Sequence, residues 1–274
     1  MRTYSFAVLT AGMVFGSMQA SAAPTARLPT GKWVVDFHES QCVASRNYGT
    51  KTEPLFFGLK APVAGDVMQV LFVRPGKGGP FADQHRTEIE LDGHNKLIAS
   101  ALSMSANAKN QRIVRINLPT SDFNQLAQAK VASFNVRGQL RETLALNEMP
   151  KLLKVMNDCV VNLREHWNVG APDVPNPALR EGSKGDLSRV FKSSDFPSVA
   201  VMDSTQGTAK VAILIDEAGK VADCTVIGSS GSAALDGQSC YAISSRAKFR
   251  PAVGLDGKPA RSGYTQNITW RIEQ

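Results

Sequence analysis

The chain has 274 residues, of which 43% are apolar and 20% charged, a composition typical of globular proteins and unlike that of disordered, collagen-like or coiled-coil chains. Its formal charge of +7 comes from 31 Lys and Arg residues against 24 Asp and Glu residues. Because these charges are scattered along the chain, they argue against nucleic-acid binding and are compatible with weak attraction to anionic membrane surfaces. The length fits two domains better than one.

Residues 1–22 have the pattern of a secretory signal peptide. Arg2 supplies the positive start, and a short apolar stretch runs from Phe6 to Met18. Small residues up to Ala22 form the expected cleavage site. No later apolar run reaches the roughly 20 residues that a membrane-spanning helix needs. We therefore expect a periplasmic protein; the alternative is a protein anchored in the inner membrane by an uncleaved N-terminal segment.

Residues 31–167 are predicted to form a β-rich domain, because apolar or alternating runs are separated there by Gly, Pro, Asn or Asp. The spacing is typical of an antiparallel sheet or sandwich. The predicted strands are 32–37, 54–59, 67–73, 87–91, 97–104, 112–118 and 131–136. A helix follows, with Asn147 as its N-cap and Pro150 in its first turn. Its apolar stripe includes Cys159 and ends at Trp167.

Residues 168–187 contain several Pro and Gly residues and are interpreted as a linker. Residues 188–274 are predicted to form a small α+β domain. Its elements in order are a short helix at 186–194, a hairpin of strands at 208–215 and 220–228, a second helix at 232–247 and a final strand at 263–272. The fold class of the whole chain is therefore predicted to be α+β.

The four cysteines are expected to form two disulfides, because an exported protein enters an oxidising compartment. Four cysteines allow three pairings. The local pairing, in which Cys42 bonds Cys159 and Cys224 bonds Cys240, keeps each bond inside one predicted domain. Cys224 lies on a strand and Cys240 on a helix, and both side chains are expected to face the layer between these elements. The cysteine spacings do not match a zinc site, so neither a metal nor another cofactor is expected.

An enzyme would need a catalytic site, and the sequence offers only weak candidate residues for one. The glycine-rich run at 75–80 lacks the Gly-Lys-Ser/Thr ending of a phosphate-binding loop. Two histidines have acidic neighbours, and these residues are His85, His94, Asp83, Glu88, Glu90 and Asp92. They are more simply explained as exposed polar groups on a strand and its turn. We therefore predict a protein that is not an enzyme; the alternative is a secreted enzyme whose site lies in the β-rich domain.

The C-terminal region carries a set of short motifs in a fixed order. These are Phe196-Pro197, Ile215-Asp216, Gly219-Lys220-Val221, Ser229-Ser230-Gly231 and Phe249-Arg250-Pro251-Ala252. With them, residues 188–274 resemble the C-terminal domain of the TonB family. The resemblance covers the C-terminal region alone, and the cysteine pair there resembles a disulfide-bearing variant of that domain.

The resemblance implies a periplasmic domain that binds an outer-membrane receptor or another envelope protein by pairing with an extended peptide segment. The final strand is the candidate edge, and its binding residues are predicted to be Tyr264, Thr265, Gln266, Asn267, Ile268, Thr269 and Trp270. A homodimer that covers this strand is an alternative. Energy transducers of the family have an N-terminal membrane helix and a long Pro-rich spacer. Neither is evident here, so an anchored TonB-type transducer is kept as an alternative function.

Overall fold

The structure is a computed structural model and describes residues 25–76, 83–93, 95–106, 110–170 and 176–272. The predicted signal peptide at 1–22, most of the glycine-rich run and His94 therefore lie outside the described residues. The described chain has an α+β architecture, which confirms the predicted fold class. None of its described helices is both long enough and apolar enough to span a membrane.

The N-terminal half is a nine-stranded antiparallel sheet with two helices. Its strands are β1 (Val34–His38), β2 (Gln41–Asn47), β3 (Phe56–Ala61), β4 (Val67–Pro75), β5 (Asp83–Leu91), β6 (Asn95–Ala106), β7 (Gln111–Pro119), β8 (Val131–Val136) and β9 (Leu140–Ala145). The helices are α1 (Thr120–Gln128) and α2 (Met149–His166). The strand order is β1-β2-β3-β4-β7-β6-β5-β8-β9.

The N-terminal sheet curls, so that its two ends approach each other. The Tyr48 hydroxyl, just after β2, donates a hydrogen bond of 2.7 Å to the Ala145 carbonyl at the end of β9. The segment before β1 contacts both ends, because the Arg27 N–H donates to the Thr143 carbonyl at 2.7 Å and the Thr30 N–H donates to the Asn47 carbonyl at 2.9 Å. The curl encloses an apolar core whose centre is formed by the rings of Phe57, Phe72 and Phe134.

The seven predicted N-terminal strands are present, β8 with the predicted bounds and the other six with one or both ends shifted, whereas β2, β9 and α1 were not predicted. Helix α2 begins at Met149 with Pro150 in its first turn, and Asn147 is not its cap. The N-cap position belongs to Glu148, whose φ is +67°. The Asn147 carbonyl instead accepts hydrogen bonds from the side chains of Trp33 and Arg46, which hold this residue outside the helix.

The described residues of the C-terminal half, 176–272, form eight strands, two α-helices and one 3-10 helix (Ser193–Asp195). Its strands are β10 (Leu179–Glu181), β11 (Lys184–Gly185), β12 (Gly207–Ile215), β13 (Val221–Gly228), β14 (Phe249–Arg250), β15 (Ala252–Gly254), β16 (Pro259–Ala260) and β17 (Ser262–Trp270). The helices are α3 (Ser198–Met202) and α4 (Ala233–Arg246). The main sheet has the order β13-β12-β17, and β10 and β11, within the predicted linker, pair with β15 and β14.

A continuous helix predicted at 186–194 is not present, so this detail of the sequence analysis was wrong. The Asp186 carboxylate accepts a hydrogen bond of 2.9 Å from the Ser188 N–H. Such a local side-chain bond offers the backbone an alternative to helix formation. The Val190 carbonyl is then bound by the Arg246 side chain of α4 at 2.9 Å, which holds the segment against the C-terminal half.

The sheet formed by β13, β12 and β17 is covered on both faces along much of β12. One face packs against α4, through a cluster that includes Val211, Ile213 and Leu235. The other face packs against the end of α2, where Leu163 and Trp167 lie in one apolar cluster with residues of β12 and β13. The uninterrupted apolar run at 211–215, all of it buried, fits a strand covered on both faces.

Polar contacts also join the two halves. Lys60 of β3 and Asp223 of β13 form an ion pair with nitrogen–oxygen distances of 2.9 and 3.0 Å. The N-terminus of α4 is bound by side chains from the N-terminal half, because the Ala234 N–H donates to Gln84 at 3.0 Å and the Ala233 N–H to Ser100 at 2.9 Å. Two N–H groups in the first turn of α4 are therefore satisfied by β6 and β5 of the other half.

Both predicted disulfides are formed in the structure. Cys42 of β2 bonds Cys159 of α2 across 117 residues, and Cys224 of β13 bonds Cys240 of α4 across 16 residues. The first bond belongs to the apolar cluster shared by the two halves. The second lies between the C-terminal sheet and its helix, as the strand and helix faces predicted.

Candidate functional site

The predicted binding strand, β17, lies at one edge of the three-stranded C-terminal sheet. It pairs in antiparallel register with β12, from Trp270 opposite Gly207 to Ser262 opposite Ile215. No other described strand pairs with its outer side. It spans Ser262–Trp270 rather than 263–272, because the Ile272 N–H is bound by the Gln206 side chain and not by the ladder. A free edge of this kind presents unpaired backbone groups.

The seven predicted binding residues divide between the two faces of β17. Tyr264, Ile268 and Trp270 face the helix layer, where the Trp270 indole N–H donates to Ser239 at 2.9 Å and the Tyr264 ring lies 5.3 Å from that of Phe249. Gln266 lies on the same face and is half-buried, whereas Thr265, Asn267 and Thr269 are exposed on the opposite face. The aromatic residues therefore hold the strand in place, and the exposed ones leave it accessible.

Backbone groups of β17 alternate between the β12 side and the open side. The Ile272 N–H donates to Gln206, the residue just before β12, at 3.1 Å. Even-numbered amides therefore face β12, and odd-numbered amides, including that of Thr269, face the open side. One open-side carbonyl, that of Asn267, accepts a hydrogen bond of 3.1 Å from the Gln266 side chain. This contact is local and exposed, so a partner strand can replace it.

A groove of about 270 Å³ runs beside the free edge of β17. One wall consists of residues 266–270, and the other is formed by Leu187, Ser188 and Phe191. None of the described residues that line the groove carries a charge. The ring of Phe191 packs edge-on against Trp270 at 5.5 Å, so the floor of the groove is continuous with the C-terminal core.

Leu187, Ser188 and Phe191 were not predicted from the sequence to be site residues. Residues 186–194 were predicted to form a short helix, whereas Leu187, Val190 and Phe191 pack on the C-terminal core without one. The segment is anchored because Arg246 also pairs with Asp195 at 2.5 Å. The apolar character of Leu187 and Phe191 indicates that these residues are buried, but it does not show that they lie beside β17.

The opposite edge of the same sheet, β13, is in contact with the N-terminal half. The Asp66 N–H lies 3.5 Å from the Ile227 carbonyl, and Asp223 is paired with Lys60. Gly65 has a φ of +82°, and a Cβ there would lie only 2.3 Å from that of Ile227. The backbone approaches β13 closely at a position that only glycine can occupy. Of the two edges of this sheet, β17 is therefore the accessible one.

The histidines considered as catalytic or metal-binding residues are not assembled into such a site among the described residues. His85 Nε2 lies 3.3 Å from the hydroxyl of Ser103, whose side chain is fully buried. Burial lowers the pKa of His85; nearby Asp83 opposes this shift and Arg112 adds to it. In the described part of the chain, no group of three or more His, Cys, Asp or Glu side chains is arranged to hold a metal ion.

A larger depression of about 1170 Å³ lies on the outer face of β5, β8 and β9. Charges of both signs line it, and several are satisfied within the protein. Arg27 pairs with Glu142 at 2.8 Å, and the Asp92 carboxylate accepts the N–H groups of Lys130 and Val131 at 2.9 Å. These contacts give Arg27, Glu142 and Asp92 structural roles.

The model of one protein family, described as Gram-negative bacterial TonB protein C-terminal, matches residues 192–272. This match confirms the predicted resemblance and includes β12, β13, α4 and β17. A comparison with curated proteins found no match. A TonB C-terminal domain indicates a location in the cell envelope and interaction with envelope or outer-membrane proteins.

Proposed function

We propose that this chain is a periplasmic protein that binds an extended segment of another envelope protein, which adds as a fourth strand to β17. The observation that carries the proposal is the free edge of β17 inside a matched TonB C-terminal domain. An added strand would pair with the odd-numbered backbone groups, and those groups have no strand partner among the described residues. The two disulfides agree with an oxidising compartment.

An anchored energy transducer is the weaker proposal, because the folded body begins close to the predicted cleavage site. Arg27 is already bonded to β9. Arg27 is the fifth residue after Ala22, and a fully extended chain over these five steps reaches only about 18 Å. A membrane anchor ending at Ala22 would hold the body beside the inner membrane. This short reach favours a released binding protein over one that spans the periplasm.

Crosslinking in intact cells tests the proposal. Asn267→p-benzoylphenylalanine places a photoreactive group on the exposed face of β17, and Lys154→p-benzoylphenylalanine places the same group on the exposed face of α2. Irradiation should join the first variant, and not the second, to another envelope protein, identified by mass spectrometry. The adduct should disappear when Thr269→Pro is added, because proline removes an open-side N–H.

Two results would contradict the proposal. Equal adducts at positions 267 and 154 would show contact without selectivity for β17. An adduct of the chain with itself at position 267, and with no other protein, would show that a second copy covers the edge.

A further inference from the structure

We infer that one end of the curled N-terminal sheet binds a singly charged oxyanion, a carboxylate or a phosphodiester group. At this end β4 and β6 finish and β5 and β7 begin. The anion would be held by the side chains of Arg74, Arg112 and Ser105, which we call the arginine site. The inference concerns the N-terminal half and goes beyond the proposed function, because it does not depend on edge pairing by β17.

The register of the sheet places two arginines side by side on its inner face. Arg74 of β4 lies directly opposite Arg112 of β7, and Arg112 lies directly opposite Ser105 of β6. Two residues further along the strands, Phe72 and Val114 form an opposite pair inside the apolar core. Because every second side chain of a strand shares a face, the arginine site also faces inward. The side chain of Arg112 is accordingly only 16% exposed.

This arrangement is unfavourable without a further negative charge. Like charges directly opposite each other in an antiparallel sheet destabilise it. Asp83 pairs with Arg112 at 4.0 Å, but its side chain is 56% exposed, and one carboxylate offsets only one of the two guanidinium charges. The connections at 76–82 and 107–110 each contain one lysine and no Asp or Glu, so they supply no further carboxylate. A singly charged anion would offset the remaining charge.

Polar atoms of the arginine site also lack partners. Arg74 Nε and Ser105 Oγ are buried and have no hydrogen-bond partner among the described residues. Buried polar atoms cost free energy unless a ligand or water satisfies them. The Arg112 guanidinium is oriented by the fully buried Ser103, whose hydroxyl accepts a hydrogen bond from it at 3.2 Å. Since the donors of an arginine match the oxygens of a carboxylate or a phosphate, one oxyanion would satisfy both the charge and the hydrogen bonds.

The rim of the arginine site is accessible, and a histidine beside it can report on binding. Asp83 is exposed, whereas Ser103, directly opposite it on β6, is fully buried. His85 Nε2 lies 3.3 Å from the Ser103 hydroxyl. Burial lowers the pKa of His85, and the charge of Arg112 adds to this shift. An anion that neutralises Arg112 should therefore raise the pKa of His85.

Acetate and dimethyl phosphate test the inference on the full chain. The controls are acetamide, which has the shape of acetate without its charge, and sodium chloride at matched ionic strength. NMR should show saturable shifts of the amides of residues 103–105 and of the His85 imidazole with acetate or dimethyl phosphate, and not with either control. The anion that binds more tightly identifies the preferred group as a carboxylate or a phosphodiester.

Arg74→Gln is the decisive variant. Without an anion it should be at least as stable in urea as the wild type, because it removes one of two opposed charges. It should nevertheless weaken anion binding at least about tenfold. The matched control is Arg86→Gln, which removes a charge from the outer face of β5, where the Arg86 side chain is 65% exposed. This control should leave anion binding unchanged.

Four results would overturn the inference. Equal shifts with acetate and acetamide would show that water or any small polar molecule fills the site. No saturable shift at residues 103–105 with either anion would show that no oxyanion binds there. Equal binding by Arg74→Gln and the wild type would place the anion elsewhere, and a loss of stability in anion-free Arg74→Gln would make the arginine pair structural. None of these results bears on the crosslinking at β17, so the proposed function is tested separately.

Discussion

The two edges of the C-terminal sheet differ in what surrounds them. β13 and β17 both pair with β12 and are of similar length. Beside β13, the N-terminal half contributes Lys60, Gly65 and Asp66. Beside β17 there is a groove with an uncharged lining. An edge strand invites pairing with another chain unless it is covered, so the difference directs any added strand to one side of the molecule.

The difference between the two edges is produced by the N-terminal half. It covers β13 and part of the outer face of the sheet through α2, and it also binds the first turn of α4. We expect the C-terminal sheet to be held rigidly with one edge free.

Removing the disulfide beneath the covered side should have the largest effect on stability. Cys42→Ala combined with Cys159→Ala opens a loop of 117 residues, for which the chain-entropy estimate is about 5 kcal/mol. Urea unfolding measures the change in free energy. The matched control is Cys224→Ala with Cys240→Ala, which opens a loop of 16 residues and should cost about 3 kcal/mol. A larger loss in the control would contradict the role given to α2.

Asp236 tests the polar contact between α4 and the N-terminal half. Its carboxylate is fully buried and accepts hydrogen bonds from Ser229, Ser230 and Asn117 at distances of 2.6–3.1 Å. It also attracts the Arg115 guanidinium. Burial lowers the pKa of Arg115, and the Asp236 carboxylate opposes part of this shift. Asp236→Ala leaves those groups without their acceptor and should lower the free energy of unfolding by about 3 kcal/mol.

Asp236→Asn is the control, since it keeps one carbonyl acceptor and should cost less than Asp236→Ala. Denaturation in urea compares the two variants. Wild-type stability in Asp236→Ala would show that the buried network does not hold the halves together.

Acidification should weaken the fold through His85. Because burial lowers the pKa of His85, the unfolded chain binds a proton more readily than the folded one. The free energy of unfolding should therefore fall as the pH drops through the ordinary histidine range near about 6.5. His85→Gln should reduce this dependence, as measured by urea unfolding between pH 7.5 and 5.5. An unchanged pH dependence would contradict a lowered pKa for the half-buried imidazole of His85.

Thr269 should have the smallest effect on stability. Its hydroxyl lies 3.0 Å from that of Thr208 at an exposed position, so Thr269→Ala should change the free energy of unfolding by less than about 0.5 kcal/mol. Binding of a partner strand should also persist, because backbone pairing does not use this side chain. Thr269→Pro should instead weaken binding at least about tenfold, once circular dichroism shows that the variant is folded. Equal binding by Thr269→Pro would contradict the proposal that a partner strand pairs with the backbone of β17.

Local patterns were enough to predict much of the C-terminal half. Aromatic and polar residues alternate along the sequence of β17, and the structure places Tyr264 and Trp270 inward and Thr269 outward. The faces of β13 and α4 likewise predicted the bond between Cys224 and Cys240. These features depend on periods of two and 3.6 residues, which a sequence displays directly.

The surroundings of the two edges were not predicted, because they depend on contacts between distant residues. Two signals were nevertheless present. The unbroken apolar run at 211–215 fits burial on both faces, and Gly237 stands inside α4, where a Cβ would lie 2.7 Å from a Leu102 side-chain atom. No local pattern identifies Leu187 and Phe191 as the residues beside β17. Their segment is held there by Arg246 of α4, which is distant from it in the sequence. The domain boundaries and the signal peptide remain predictions.

Amide hydrogen exchange in the free protein tests most directly whether β17 is an open edge. Residue-resolved NMR should find the amides of Thr265, Asn267 and Thr269 exchanging at least about tenfold faster than those of Gln266, Ile268 and Trp270. This alternation is expected because the first set faces the open side and the second set bonds to β12. Equal protection of both sets would show that another strand already covers β17 and would contradict the account.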